Sequence, residues 1–281
     1  MIERFASLVR FEHTIFALPY AYVGAILAVD GWPGLANLLW ITVAMVGARS
    51  FAMAANRIVD AAIDARNPRT ATRELPAGRL SRGQVVAFSG GALALFVVAV
   101  WQLDSACRPL APIVIVAFVA YPYLKRITPL CHLGLGLIDG LAPVAGFIAV
   151  TGRAPLAAWL LGLAVACWIA GFDIIYATMD LAVDRAQGLH SMPADYGLPT
   201  ALAVSKGLHA LSVAALGAVG FDLHLGPLYA IGVVLVAGLL AYEQRLVSPT
   251  DLSRVNAAFF SVNGTIAMLY TGAVVLDVAV R

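Results

Sequence analysis

The sequence predicts an all-α, polytopic membrane protein of about nine transmembrane helices, and three observations predict it. Hydrophobic residues make up 61% of the 281 positions and charged ones 12%, against about 25% charged in an ordinary soluble domain. Mean hydropathy is +0.88, which leaves too little polar surface to cover a soluble globule. The apolar residues also fall into runs of roughly 20, the length that crosses a hydrocarbon core.

Taken in order, the spans are expected at 13–31, 36–58, 84–103, 109–123, 133–151, 155–178, 198–220, 225–243 and 257–279. Tight turns such as "DGWPG" and "TGRAP" join most of them, because Gly and Pro end a helix and turn the chain. Longer connections follow only the second and sixth spans. No cleavable signal peptide is expected, since "MIERFASLVRFEHTIF" stays charged as far as His13. Cys107, Cys131 and Cys167 have neither pairing nor metal spacing and read as small apolar residues. The net charge of +2 gives no reason to expect a nucleic-acid partner.

The basic residues fix an expected orientation. With a cytoplasmic N-terminus, 15 of the 18 Lys and Arg fall on the cytoplasmic side, and only Arg108, Arg153 and Arg281 on the other. An odd span count then puts the C-terminus outside.

Two polar motifs interrupt the oil. The second span ends in Asn56, Asp60 and Asp64, spaced four apart and therefore on one helical face. The sixth ends in Asp173, Tyr176, Asp180 and Asp184, again in phase. Each is followed by a loop with basic or His residues and Pro: "RNPRTATRELPAG" and "RAQGLHSMPADYG". The recurrence after 120 residues, Asp60 to Asp180 and Asp64 to Asp184, suggests two related halves within one domain over 1–281, divided near 130. Snorkelling charges at helix ends would explain a single aspartate, but not four in two in-phase pairs. Intramembrane acids face cavities and carry function. Paired carboxylates suit Mg2+, whose shell substrate phosphate and water complete, and guanidinium forks match phosphate oxygens. The motifs therefore predict a metal–diphosphate site open to the cytoplasm.

Asn56-x3-Asp60-x3-Asp64 with "RNPRTATRELPAGRLS", and "DIIYATMDLAVDRAQGLHS", resemble the two signatures of the UbiA family of membrane-embedded aromatic prenyltransferases. "FEHTIFALPYA" and "YPYLKRITPLCHLGLGLIDGLAP" are similar to further segments of it, so the resemblance spans nearly the whole chain and points to the 4-hydroxybenzoate polyprenyltransferase-like branch. It implies two four-helix-like halves around a central cavity, in a bacterial inner membrane. It also implies Mg2+-dependent transfer of a polyprenyl chain from its diphosphate to an aromatic hydroxy acid, for quinone synthesis. The acceptor stays open between 4-hydroxybenzoate and rings such as 1,4-dihydroxy-6-naphthoate. Two positions depart from the pattern of many relatives in the family: Arg57 where many carry Asp, and Glu74 where many carry Pro.

The expected roles follow. Asp60, Asp64, Asp180 and Asp184 hold magnesium, and Asn56 assists. Arg66, Arg69, Arg73 and Lys125 neutralise the leaving diphosphate, with His190 a further contact. Tyr121 and Tyr176 face the allylic cation, because aromatic faces attract cations. Asp173 orients the acceptor or takes its phenolic proton. Arg49 meets the acceptor carboxylate or an internal acid. His13, His132, His209 and His224 show no ligand spacing and are expected to be structural, and "SGGALAL" and "GLGLIDGLAPVAG" to let helices approach. A transporter is the rival from another class, but its site would lie near the bilayer midplane beside broken helices. A non-catalytic scaffold would leave the in-phase acids unexplained.

Overall fold

The structure, a computed structural model, describes residues 2–9 and 14–281; Arg10, His13 and the opening of "FEHTIFALPYA" lie outside them. A short helix, α1 (Ile2–Leu8), precedes the bundle. The spans are α2 (Thr14–Val29), α3 (Leu35–Asp64), α4 (Arg82–Gln102), α5 (Ala111–Ala120), α6 (Cys131–Thr151) and α7 (Leu156–Ala177). After them come a short α8 (Leu181–Gln187), then α9 (Met192–Asp222), α10 (Pro227–Arg245) and α11 (Asn263–Val280). Among the described residues eight helical segments are long and apolar enough to cross a membrane, and the apolar Leu18–Val29 adds a shorter one. Every expected span has its helix.

The differences lie at the ends and have local causes. α3 runs on to Asp64 and carries its whole motif inside one helix. α5 is the middle of a 22-residue span, Ser105–Arg126, whose two ends tighten into 3-10 turns at Pro109 and Pro122. A 3-10 turn at Thr178–Asp180 separates α7 from α8, so the second motif does not lie on one unbroken helix. α9 begins six residues before the expected span and breaks at Gly197, whose φ of 79° is open to glycine. Ser81 starts α4 with a reciprocal cap: its hydroxyl accepts from Gln84 N (3.2 Å) while its own N–H donates to Gln84 Oε1 (2.8 Å).

Two large apolar clusters form most of the interior. One joins α2, α6, α7, α9, α10 and α11; the other joins α2, α3, α4, α5 and α6. α2 and α6 belong to both and so tie the halves together. Lipid cannot drive apolar helices together, so close backbone approach does. A Cβ on Gly146 of α6 would lie 2.2 Å from the Ala21 carbonyl oxygen of α2, and one on Gly140 would lie 2.5 Å from Gly162 O of α7. "GLGLIDGLAPVAG" is therefore a packing face, whereas nothing approaches Gly90 or Gly91 of "SGGALAL" within 4 Å.

Candidate active site

The C-terminal end of α3, the loop 65–81, the turn before α6 and the α7–α8 junction meet at one end of the bundle. They enclose a polar chamber of about 200 Å3 whose wall includes Asn56, Asp60, Asp64, Asp180 and Asp184. Arg57, Arg69, Arg73 and Lys125 line the same chamber. Beside it lies a larger, mainly apolar chamber of about 360 Å3 walled by α3, α5 and α6. Asn56, Arg57, Arg73, Tyr121, Asp173 and Tyr176 border both.

Helical spacing in α3 turns Asn56, Asp60 and Asp64 to this end, as the 3.6-residue period requires. Asp60 is almost fully buried. Its Oδ2 accepts from Lys125 Nζ (2.5 Å) and Asn56 Nδ2 (3.3 Å), and its Oδ1 from Arg126 Nη2 (3.0 Å). Asp64 Oδ1 accepts from Arg73 Nη1 at 2.7 Å, and its Oδ2 stands 4.0 Å from Arg57 Nη1 without a hydrogen bond. Asp180 is held across the halves: Asn67 Nδ2 donates to its Oδ1 (2.8 Å), Arg69 Nε to the same oxygen (2.9 Å), and Arg69 Nη2 to Oδ2. Arg69 Nη1 also donates to Tyr176 Oη at 2.8 Å, with the guanidinium 5.0 Å from the Tyr176 ring centroid. Ser191 Oγ donates to Asp184 at 3.0 Å. The loop of the first motif thus grips the acid of the second, and Asn67 shapes that loop by accepting Arg69 N on its Oδ1 (2.9 Å).

Most expected site residues converge here, with corrections. Arg66 is exposed and lies outside both chamber walls. His190 lines the polar chamber but bonds Asp195 (2.9 Å). Arg49 and Asp139 share the wall of the apolar chamber and attract each other, so the internal acid is present. His132, expected to be merely structural, touches Asp173: its Nδ1 lies 2.7 Å from Asp173 Oδ2. Asn67, Arg126, Asp139 and Ser191 were not singled out in the sequence. Only Asp139 carried a signal, as a lone acid inside an apolar run.

The two departures from the family pattern meet the same element. Arg57 Nε donates to the Leu8 carbonyl (3.3 Å), and Ser7 Oγ donates to Glu74 Oε1 (2.7 Å). Phe5 stacks on Phe88 at 4.8 Å, and Leu8 packs with Ala54, Leu80 and Val85. Burial raises the Glu74 carboxyl, but bonds from Ser7, from its own backbone amide and from Arg79 outweigh it, leaving the group below the ordinary Glu range.

Among the described residues no three His, Cys, Asp or Glu side chains converge as a ready metal cluster. The donor set still fits a hard divalent ion. It offers five carboxylates and two amides around one small chamber, and among the carboxylates Asp64 Oδ2 is buried and without a hydrogen bond. Magnesium sites commonly use one or two carboxylates and take the rest from substrate and water.

Acids and bases at the mouth of a helical bundle, backed by an apolar chamber, suit a membrane-embedded enzyme. The chain belongs to the UbiA prenyltransferase family, whose profile matches residues 17–265. It is 30% identical over 260 residues to a 4-hydroxybenzoate octaprenyltransferase of Nitrosospira multiformis, covering 92% of this chain and 88% of that one. A protein of that name from Aliivibrio fischeri is 31% identical over 84% of this chain and 82% of its own. Its fold matches a UbiA homologue from Aeropyrum pernix with a TM-score of 0.86 and 35% identity, over 95% and 98% of the two chains. A homologue from Archaeoglobus fulgidus, solved with DMAPP and Mg2+, shares the fold (TM-score 0.78, 19% identity, 99% and 100% coverage).

Proposed function

We propose that the chain transfers a polyprenyl group from its diphosphate to 4-hydroxybenzoate, with Mg2+, as a step in quinone synthesis. The observation that carries this reading is the pairing of the two chambers. Five aspartates, three arginines and a lysine line a space suited to a metal-bound diphosphate, and an apolar space opens beside it. The names of the relatives favour 4-hydroxybenzoate over a naphthoate.

Asp60, Asp64, Asp180 and Asp184 would hold magnesium, which supplies charge to stabilise the leaving diphosphate. Arg73 and Lys125, which pair with Asp64 and Asp60, would add donors where negative charge develops on the diphosphate. Arg69 stays forked on Asp180 or turns to the phosphate. When the allylic C–O bond breaks, both electrons leave with the diphosphate, and the allylic cation faces the rings of Tyr121 and Tyr176. The ring carbon beside the hydroxyl of the acceptor then bonds to it. Asp173, on the rim of both chambers, takes the phenolic proton as the new C–C bond forms. The ring proton then passes to the released diphosphate or to solvent as aromaticity returns, and the phenolate oxygen takes its proton back from Asp173. The excess of Lys and Arg at this end favours a cytoplasmic site and N-terminus in a bacterial inner membrane.

Purified protein in detergent, given Mg2+ and geranyl diphosphate, is expected to prenylate 4-hydroxybenzoate and to stop when EDTA is added. Product with neither 4-hydroxybenzoate nor 1,4-dihydroxy-6-naphthoate, or product that survives joint replacement of Asp60 and Asp180 by Asn, would sink the reading.

A further inference from the structure

His132 sits at the start of α6, buried between two partners from distant parts of the chain. Its Nδ1 lies 2.7 Å from Asp173 Oδ2 on α7. Its Nε2 lies 3.3 Å from the backbone N of Met192, at the start of α9. A backbone amide can only donate, so Nε2 carries the lone pair. The one ring proton of the neutral imidazole then belongs to Nδ1, where it donates to the carboxylate. Both nitrogens are spent, and neither is left to meet a substrate.

The contact also reaches the second motif. Met192 follows Ser191, whose hydroxyl donates to Asp184 Oδ2 at 3.0 Å and accepts from Ala194 N at 3.3 Å. The neighbouring Cys131 Sγ lies 3.6 Å from the His190 carbonyl. One imidazole therefore links the acid on the rim of both chambers to the segment that steadies Asp184.

We propose that His132 is a positioning residue for Asp173 in prenyl transfer, an inference that rests on Asp173 being the group that meets the acceptor hydroxyl. By occupying Oδ2 it fixes the carboxylate and leaves Oδ1 for the acceptor. Outer partners of this kind orient a reacting group through a fixed tautomer, as the carboxylates and carbonyls bonded to metal-bound histidines do.

A residue that merely clamped α6 to α9 would act through the Met192 bond, and two substitutions separate the roles. His132→Asn puts an amide donor near the Nδ1 position and nothing at Nε2. His132→Gln puts an amide oxygen near Nε2 and loses the donor to Asp173. Positioning predicts that His132→Asn keeps kcat within threefold, while His132→Gln lowers it about 10- to 100-fold, with KM for geranyl diphosphate unchanged. It also predicts that His132→Gln costs nothing further in an Asp173→Asn background. The reverse pattern, with the Asn variant tenfold down, overturns the proposal. If the Gln variant does not fold, the Asn variant decides alone by the same threefold and tenfold limits. An Asp173→Asn enzyme with full kcat overturns both the proposal and the role assigned to Asp173. A crippled Asp173→Asn enzyme beside a fully active His132→Gln one overturns only the proposal.

Discussion

Replacing Arg69 by Lys keeps the charge and removes the fork. Arg69 makes three side-chain bonds at the site: two to the carboxylate of Asp180 and one, of 2.8 Å, to Tyr176 Oη. A single ammonium on a flexible stem can replace one of them, and it loses the planar face set over the Tyr176 ring. A charge-assisted bond is worth about 1.5–3 kcal/mol. The pair is a fifth to a quarter open to solvent, with side chains 25% and 18% exposed, which argues for a discounted total. A net loss of about 2 kcal/mol, or about 30-fold in kcat/KM for the diphosphate, is expected. The assay is product formation from geranyl diphosphate at saturating 4-hydroxybenzoate, with Arg66→Lys as control. Arg66 is exposed and outside the chamber walls, so its variant should stay within twofold. An Arg69→Lys enzyme within threefold of the unaltered one would refute the reasoning.

Arg49→Gln should raise KM for 4-hydroxybenzoate about tenfold and leave KM for the diphosphate alone; if Arg49 serves only Asp139, the two constants will not separate. Glu74→Gln should lower the melting temperature at pH 7 by about 2–4 °C. The folded carboxyl lies below its unfolded value of about 4.3, so its contribution is full above that pH and fades as pH falls through the folded value. The melting difference should therefore shrink on acidification towards pH 3, and a constant difference would discount the Glu74 charge. Gly146→Val forces a side chain into the Ala21 backbone and should cost about 1–3 kcal/mol of stability by thermal melting in detergent. Gly90→Ala meets nothing and should be neutral or stabilising by up to about 1 kcal/mol.

The spans were legible because the bilayer imposes a length on apolar runs, and the metal-type acids because a helix repeats every 3.6 residues. Asn56, Asp60 and Asp64 needed only that period to be placed together, and all three line one chamber. The 3-10 turn before Asp180 was not legible, since one turn of tighter helix changes no residue type. His132 escaped because its partner lies 41 positions away, and only the packing of α6 on α7 joins them. Arg66 was overread: a basic residue in the right loop has the right charge whichever way it points, and backbone geometry alone turns Arg69 inward and leaves Arg66 outside. Arg57 and Glu74 could be marked as departures, but their partners sit in α1, which no hydropathy window detects.

That shared attachment bears on inheritance. Ser7, Arg57 and Glu74 form one unit through α1, although 67 positions separate the first from the last. The serine at position 7 takes its partner from the acid at 74. Among descendants of this sequence the three residues should change together, and a hybrid that takes its first ten residues from a relative with Asp at 57 and Pro at 74 should lose the fit at both places at once.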